Sequence, residues 1–204
     1  MSWAEKLSIR IARKIVPAGD SYTVGQVSHG IEIFLWQVLG AVSLIAISTL
    51  FDCVVEAITV SGIYMLLRNF TGGVHFKGAL ACFITGNVLM LAAALLAKQL
   101  PADHGWFSFW FVLSSTVLSF WINLRYAPAP HTYVQIDEHI RRRNRKTILL
   151  ILIAGCAISQ ILVYFDYKQL GHAYSIAVLL QSLLLHPLAY RAMEQYEKSF
   201  SRKG

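Results

Sequence analysis

One histidine and one cysteine, seven positions apart in a glycine-rich stretch, are the residues of this chain best suited to covalent chemistry. The stretch reads Arg68-Asn69-Phe70-Thr71-Gly72-Gly73-Val74-His75-Phe76-Lys77-Gly78-Ala79-Leu80-Ala81-Cys82. It is a short polar interruption in a chain made mostly of long apolar runs. On one continuous helix His75 and Cys82 would share a face but stand about 10 Å apart along the axis, too far for a hydrogen bond. Their cooperation requires a non-helical His75 folded back over the start of the next helix. Gly72, Gly73 and Gly78 are the residues that permit such a turn. If that helix starts near Gly78-Ala79, Cys82 falls in its first turn, where unpaired backbone N–H groups and the helix dipole favour a thiolate. An imidazole within reach would accept the thiol proton, giving the thiolate–imidazolium pair that attacks carbonyls.

Each of these residues also has an ordinary role. Cysteine packs well as a small hydrophobe in apolar helices, and Cys53 and Cys156 are read that way. His29, His104, His131, His139, His172 and His186 fall at or near predicted membrane edges and loops, where histidine needs no special function. Arg68 can anchor a helix end by snorkelling and by complementing the dipole. Equally, it can hold a substrate carboxylate or orient the loop. Gly72-Gly73 is either a plain turn or a source of backbone amides for an oxyanion hole. Glu56 is an acid inside an apolar run, near its outer end. The basic run 141–146 suits lipid contact first and docking of an acidic peptide second.

The elements that must position these groups follow from composition and charge. Of 204 residues, 56% are hydrophobic and only 14% charged, and the mean hydropathy is +0.53. Soluble domains carry about 25% charged residues, so an all-α, polytopic membrane helical bundle is the first reading. Three cysteines without a CxxC or Cys/His cluster argue against both a disulfide framework and zinc, and no cofactor is expected. The first thirty residues lack the apolar core of a cleavable leader. They begin instead with an amphipathic stripe, Trp3, Leu7, Ile11 and Ile15, that predicts a short interfacial helix ended by Pro17-Ala18-Gly19-Asp20.

Apolar runs then cover 31–51, 54–67, 79–97, 106–124, 147–165 and 173–190, with His186-Pro187 interrupting the last. The second, short and carrying Glu56, suits a re-entrant segment on length alone. Charge decides for six spans. Sixteen of the eighteen Lys and Arg residues fall before the first run, in 68–78, in 125–146 or in 191–204; only Lys98 and Lys168 lie in the alternate loops. That partition places both termini and the Arg68–Cys82 stretch on the cytoplasmic side. The net charge of +7 is then topogenic, and no nucleic-acid partner is implied; the lipid bilayer is. The chain reads as one integral membrane domain over 1–204: a cytoplasmic or interfacial segment 1–30, a six-helix bundle 31–190 and a cytoplasmic tail 191–204.

Arg68, Gly73, His75 and Cys82, in this order and spacing, resemble the motif of the accessory gene regulator B family of bacterial membrane peptidases. The likeness extends to a chain of about two hundred residues and to Tyr126-Ala127-Pro128 opening a basic loop after the fourth run. The resemblance implies a bacterial cell-membrane cysteine endopeptidase with His75 as base, Cys82 as nucleophile, and Arg68, Gly72 and Gly73 binding or orienting the substrate. It implies a small amphipathic quorum-sensing propeptide bound at the inner face. Cleavage of the propeptide's acidic C-terminal tail would leave a thioester on the enzyme. The peptide's own cysteine or serine would then close a ring. After Pro130 the chain reads His131-Thr132-Tyr133-Val134-Gln135-Ile136-Asp137-Glu138 where the family often has lysines, a departure that bears on substrate identity and on cyclisation rather than on the nucleophile. The oligomeric state is open, with a homodimer one arrangement it allows.

Two other classes compete. A non-enzymatic peptide exporter or membrane scaffold would carry inverted repeats or broken helices with midplane polar groups, and beyond Glu56, Asn87 and Gln181 there is little of that. An acyltransferase would use Cys82 for a lipid acyl group. Motif order and spacing favour the peptidase.

Overall fold

The computed structural model describes residues 2–17, 22–74, 78–101, 105–129 and 138–201, with side chains to 195. Eight helices account for nearly all of them: α1 (Trp3–Ile15), α2 (Val24–Leu50), α3 (Val54–Thr71), α4 (Ala79–Gln99), α5 (Gly105–Tyr126), α6 (Glu138–Tyr164), α7 (Lys168–Leu183) and α8 (Pro187–Ser201). Among the described residues there is no strand.

Reciprocal caps open the first two helices. Ser2 Oγ accepts from the Glu5 N–H at 3.0 Å while the Glu5 carboxylate accepts from the Ser2 N–H. Thr23 and Gln26 repeat the arrangement on α2. Each satisfies two N–H groups that a helix start leaves free. Ala4, Ser8 and Ala12 form the buried face of α1, small residues that let it lie close along α2. Trp3, Leu7 and Ile15 stay exposed, the face expected to meet lipid.

α2, α4, α5 and α6 are long and apolar enough to cross a membrane, and α7 with the start of α8 makes a fifth candidate if that bent pair is one span. α3 is not among these candidates, because Glu56, Arg68 and Asn69 dilute its apolar run. Its 18 residues nonetheless reach about 27 Å, close to the hydrocarbon thickness. It is packed on α2, α4, α6 and α7, which partly bury Glu56 and Arg68 and leave Asn69 exposed near the helix end. Glu56 sits in its first turn, a position where the helix dipole favours a carboxylate.

Two helices begin earlier than the apolar runs suggest: α2 at Val24 and α6 at Glu138. In both, polar turns precede the apolar portion, and hydropathy alone does not register helix outside lipid. The last run differs more. It is broken after Leu183, and α8 leaves α7 at 70°. Pro187 supplies no N–H to continue α7 but suits the first position of a new helix. The His186 ring completes that start, its Nδ1 accepting from Leu188 N–H at 3.3 Å.

α7 is the hub, touching α3, α4, α5 and α6, with every residue from Gly171 to Val178 buried. Close approach is bought with small residues. A Cβ on Gly155 of α6 would lie 2.5 Å from Tyr174 Cε2, so only glycine lets the tyrosine ring cross there and donate from its hydroxyl to Leu152 O at 2.8 Å. Polar side chains of α7 pair across the bundle: His172 with Ser108 at 2.9 Å, Ser182 with Asn123 at 2.8 Å, and Gln181 with Thr71 at 2.6 Å. Buried polar groups in lipid need such partners.

Candidate functional site

The site begins where α3 stops. Gly72 follows Thr71 with φ +67°, and Gly73 has φ +134°, conformations that a Cβ would strain. The turn keeps one helical bond, from Gly72 N–H to Arg68 O at 3.0 Å. It is then gripped from several sides. Arg68 donates through Nη2 to the Val74 carbonyl and through Nη1 to the Tyr64 hydroxyl at 2.8 Å. Ala129, at the end of the Tyr126-Ala127-Pro128 turn, donates its N–H to Thr71 O at 2.8 Å. Gln181 of α7 donates to Thr71 Oγ1 and to Gly72 O, at 2.6 and 3.0 Å. A Cβ on Gly73 would meet Arg68 Nη1 at 3.1 Å, so glycine is needed there for room as well as for φ.

His75 lies outside the described residues, as do Phe76 and Lys77. The chain resumes at Gly78, which precedes α4 in extended conformation. Cys82 is the fourth residue of α4 and half-buried. Its N–H already donates to Gly78 O at 3.0 Å, so the unpaired donors of this helix start belong to Ala79, Leu80 and Ala81. α4 packs along α3, the helix that carries Tyr64 and Arg68. The structure therefore brings Arg68, Gly72 and Gly73 into one turn, with Cys82 beside the helix that carries it.

The other cysteines and histidines are elsewhere. Cys53 is wholly buried between α2 and α3, and burial, with Glu56 adding, pushes its thiol up, so it stays protonated and unreactive. Cys156 lines an open apolar groove between α5 and α6, with Thr116, Phe120 and Ile153. His172, near the start of α7, is fully buried against Ser108, Phe107 and Phe111. His186 stacks edge-on against Tyr126 at 5.2 Å. Among the described residues no group of His, Cys, Asp and Glu is arranged to hold a metal ion.

Sequence reasoning missed Tyr64, Thr71 and Gln181. Tyr64 carried a signal, standing one helical turn before Arg68 on the same face. Thr71 and Gln181 meet across 110 positions, and only the isolated polarity of Gln181 in an apolar run marks it.

These features define an integral membrane protein of packed helices with a candidate thiol site at the junction of α3 and α4. The chain belongs to the accessory gene regulator B family, whose model matches residues 7–185. A putative AgrB-like protein of Listeria innocua is 20% identical over 179 residues, 87% of this chain and 83% of its own. Accessory gene regulator protein B of Staphylococcus lugdunensis is 23% identical over 167 residues, 81% of this chain and 83% of its own. No solved structure matches the chain.

Proposed function

We propose that the protein is a membrane-embedded cysteine endopeptidase acting on a small amphipathic propeptide of a quorum-sensing system at the cytoplasmic face. The observation that carries this reading is the position of Cys82 near the start of α4, the helix that packs along α3, whose end carries the Arg68–Gly73 turn. Membership of the accessory gene regulator B family supports it.

In this reading His75 takes the Cys82 proton and the thiolate attacks a peptide carbonyl of the substrate. The tetrahedral oxyanion collapses, the C–N bond breaks, and the departing amine leaves with the proton from His75. The N-terminal part of the propeptide remains as a thioester on Sγ, while the acidic tail is released. A thioester keeps most of the acylating power of the activated carbonyl. A thiol or hydroxyl of the bound peptide can therefore displace Cys82 and close a ring without ATP, regenerating the thiol. Arg68, tied to Val74 and Tyr64, acts here by holding the turn; the Gly72 N–H is already donated to Arg68 O, so in this reading the oxyanion donor is another amide of the turn.

The test is Cys82→Ala in membranes supplied with a tagged amphipathic propeptide encoded beside the chain's own gene. Loss of tail release and of a hydroxylamine-sensitive covalent adduct is expected, while Cys53→Ala and Cys156→Ala keep both. Cleavage by the Cys82→Ala protein would return the chain to the exporter or scaffold class.

A further inference from the structure

We propose that Gln181 is a positioning residue for the His75/Cys82 chemistry, holding the end of α3 from α7 and thereby fixing the path of the chain into His75. The proposal rests on the peptidase reading above and adds to it a residue that lies about a hundred positions from the motif.

A helix end leaves carbonyls without intrahelical partners, and a protein interior in lipid offers no water to satisfy them. At the end of α3 the Thr71 carbonyl is taken by Ala129 and the Gly72 carbonyl by Gln181. The Gln181 amide is the only side chain of another helix that reaches this turn among the hydrogen bonds of the described residues. Its orientation follows from the network. The Thr71 hydroxyl donates to Gly72 O at 3.1 Å, which turns its lone pairs towards Gln181. The NH2 end must then face the turn, since the amide oxygen would meet the Gly72 carbonyl head-on.

Gln181 is fully buried, and its Oε1 has no partner among the described residues. An unpaired buried acceptor is costly, and an apolar side chain at this position of α7 would avoid it. What the amide supplies in return is a two-pronged donor aimed at Thr71 and Gly72. It also flanks Gly73, with Nε2 3.7 Å from where a Cβ would stand, opposite Arg68 at 3.1 Å. The backbone two residues before His75 is thus closed between an arginine of α3 and a glutamine of α7. With the amide removed, α3 can still pack through its apolar face, but the turn from which the chain runs on to His75 gains freedom. The effect falls on Cys82 reactivity rather than on assembly of the bundle.

The experiment measures the alkylation rate of Cys82 by iodoacetamide at neutral pH in membranes bearing Cys53→Ala and Cys156→Ala, so that one thiol reports. His75→Ala sets the floor. Gln181→Leu should slow alkylation about tenfold, the scale of one lost positioning hydrogen bond, with thermal stability and membrane level close to the parent. Gln181→Glu offers an O–H donor only when protonated. Its rate relative to the parent should recover as the pH falls from about 7.5 to about 5.5. If Gln181→Leu fails to accumulate, Thr71→Val and Thr71→Ser replace it: the first should react slowly and the second like the parent. Parent-like alkylation of Gln181→Leu, or of Thr71→Val, while His75→Ala is slow, overturns the role of Gln181. Parent-like alkylation of His75→Ala instead overturns the peptidase reading on which it rests.

Discussion

Replacing Gly73 by alanine asks whether the turn ahead of His75 must keep one shape. At φ +134° an L side chain is strained by about 1–3 kcal/mol. The new methyl would also stand 3.1 Å from Arg68 Nη1, closer than ordinary contact, so the guanidinium must retreat. It is not free to do so, since the Tyr64 hydroxyl holds it at 2.8 Å and the Val74 carbonyl from the other side. A hydrogen bond to a charged group contributes about 1.5–3 kcal/mol, of which a fraction is lost by a shift of a few tenths of an ångström. Together the two effects come to about 2–4 kcal/mol. That depopulates the native turn by about thirty- to a thousand-fold if the penalty stays local.

The matched control is Gly78→Ala. Gly78 has φ −90°, and among the described residues its added Cβ would meet only Ala81 Cβ, at 3.9 Å. Its cost as a helix cap stays near or below about 1 kcal/mol. Propeptide cleavage by the two variants, normalised to the protein in membranes, should therefore differ by at least about tenfold, with Gly73→Ala the slower. Equal rates would show that the turn's conformation and the Arg68 contact do not govern the reaction.

Arg68→Lys removes the planar fork that serves Tyr64 and Val74 together, and should lower cleavage about tenfold with normal membrane insertion; a lysine variant at the wild-type rate would leave Arg68 as a plain anchor. Cysteines introduced in 2–17 and 195–201 should resist impermeant thiol reagents in intact cells, whereas those at 101 and at 168–170 should react, and the reverse pattern would invert the topology. Gly155→Ala should destabilise the detergent-solubilised protein by about 1–3 kcal/mol through overpacking against Tyr174, read as a lower thermal midpoint. An unchanged midpoint would contradict the close crossing of α6 and α7.

Helix existence was legible because lipid makes apolar length the dominant constraint, and the runs around α2, α4, α5 and α6 are uninterrupted. The start of α4 was legible too, from Gly78 and the return of apolar residues. The bend at Leu184–His186 left only the His186-Pro187 pair as its trace. Hydropathy does not distinguish a span from two half-buried helices with a hinge, and the amphipathic residues of α8 were read as a tail. Within the site, local residues were visible and remote ones were not. Arg68 and the glycines announce themselves by type. Thr71, by contrast, is an ordinary residue at the end of an apolar run, and its importance comes from what packs onto it.

That dependence on remote partners has a consequence for how the site forms. The three backbone groups that end α3 are satisfied locally by Gly72, then by Ala129, and last by Gln181. The chain therefore supplies these partners in three instalments, the final one on α7. Before α7 is in place, the Gly72 carbonyl and the Thr71 hydroxyl lack their deepest donor, and α3 lacks the helix it packs against most extensively. A polar turn in that state lowers its energy by reaching water rather than by keeping its closed form. The Arg68–Gly73 turn is thus a tertiary structure in spite of its local motif. Its geometry belongs to the completed bundle, which is why a motif of four residues needs nearly the whole chain to carry it.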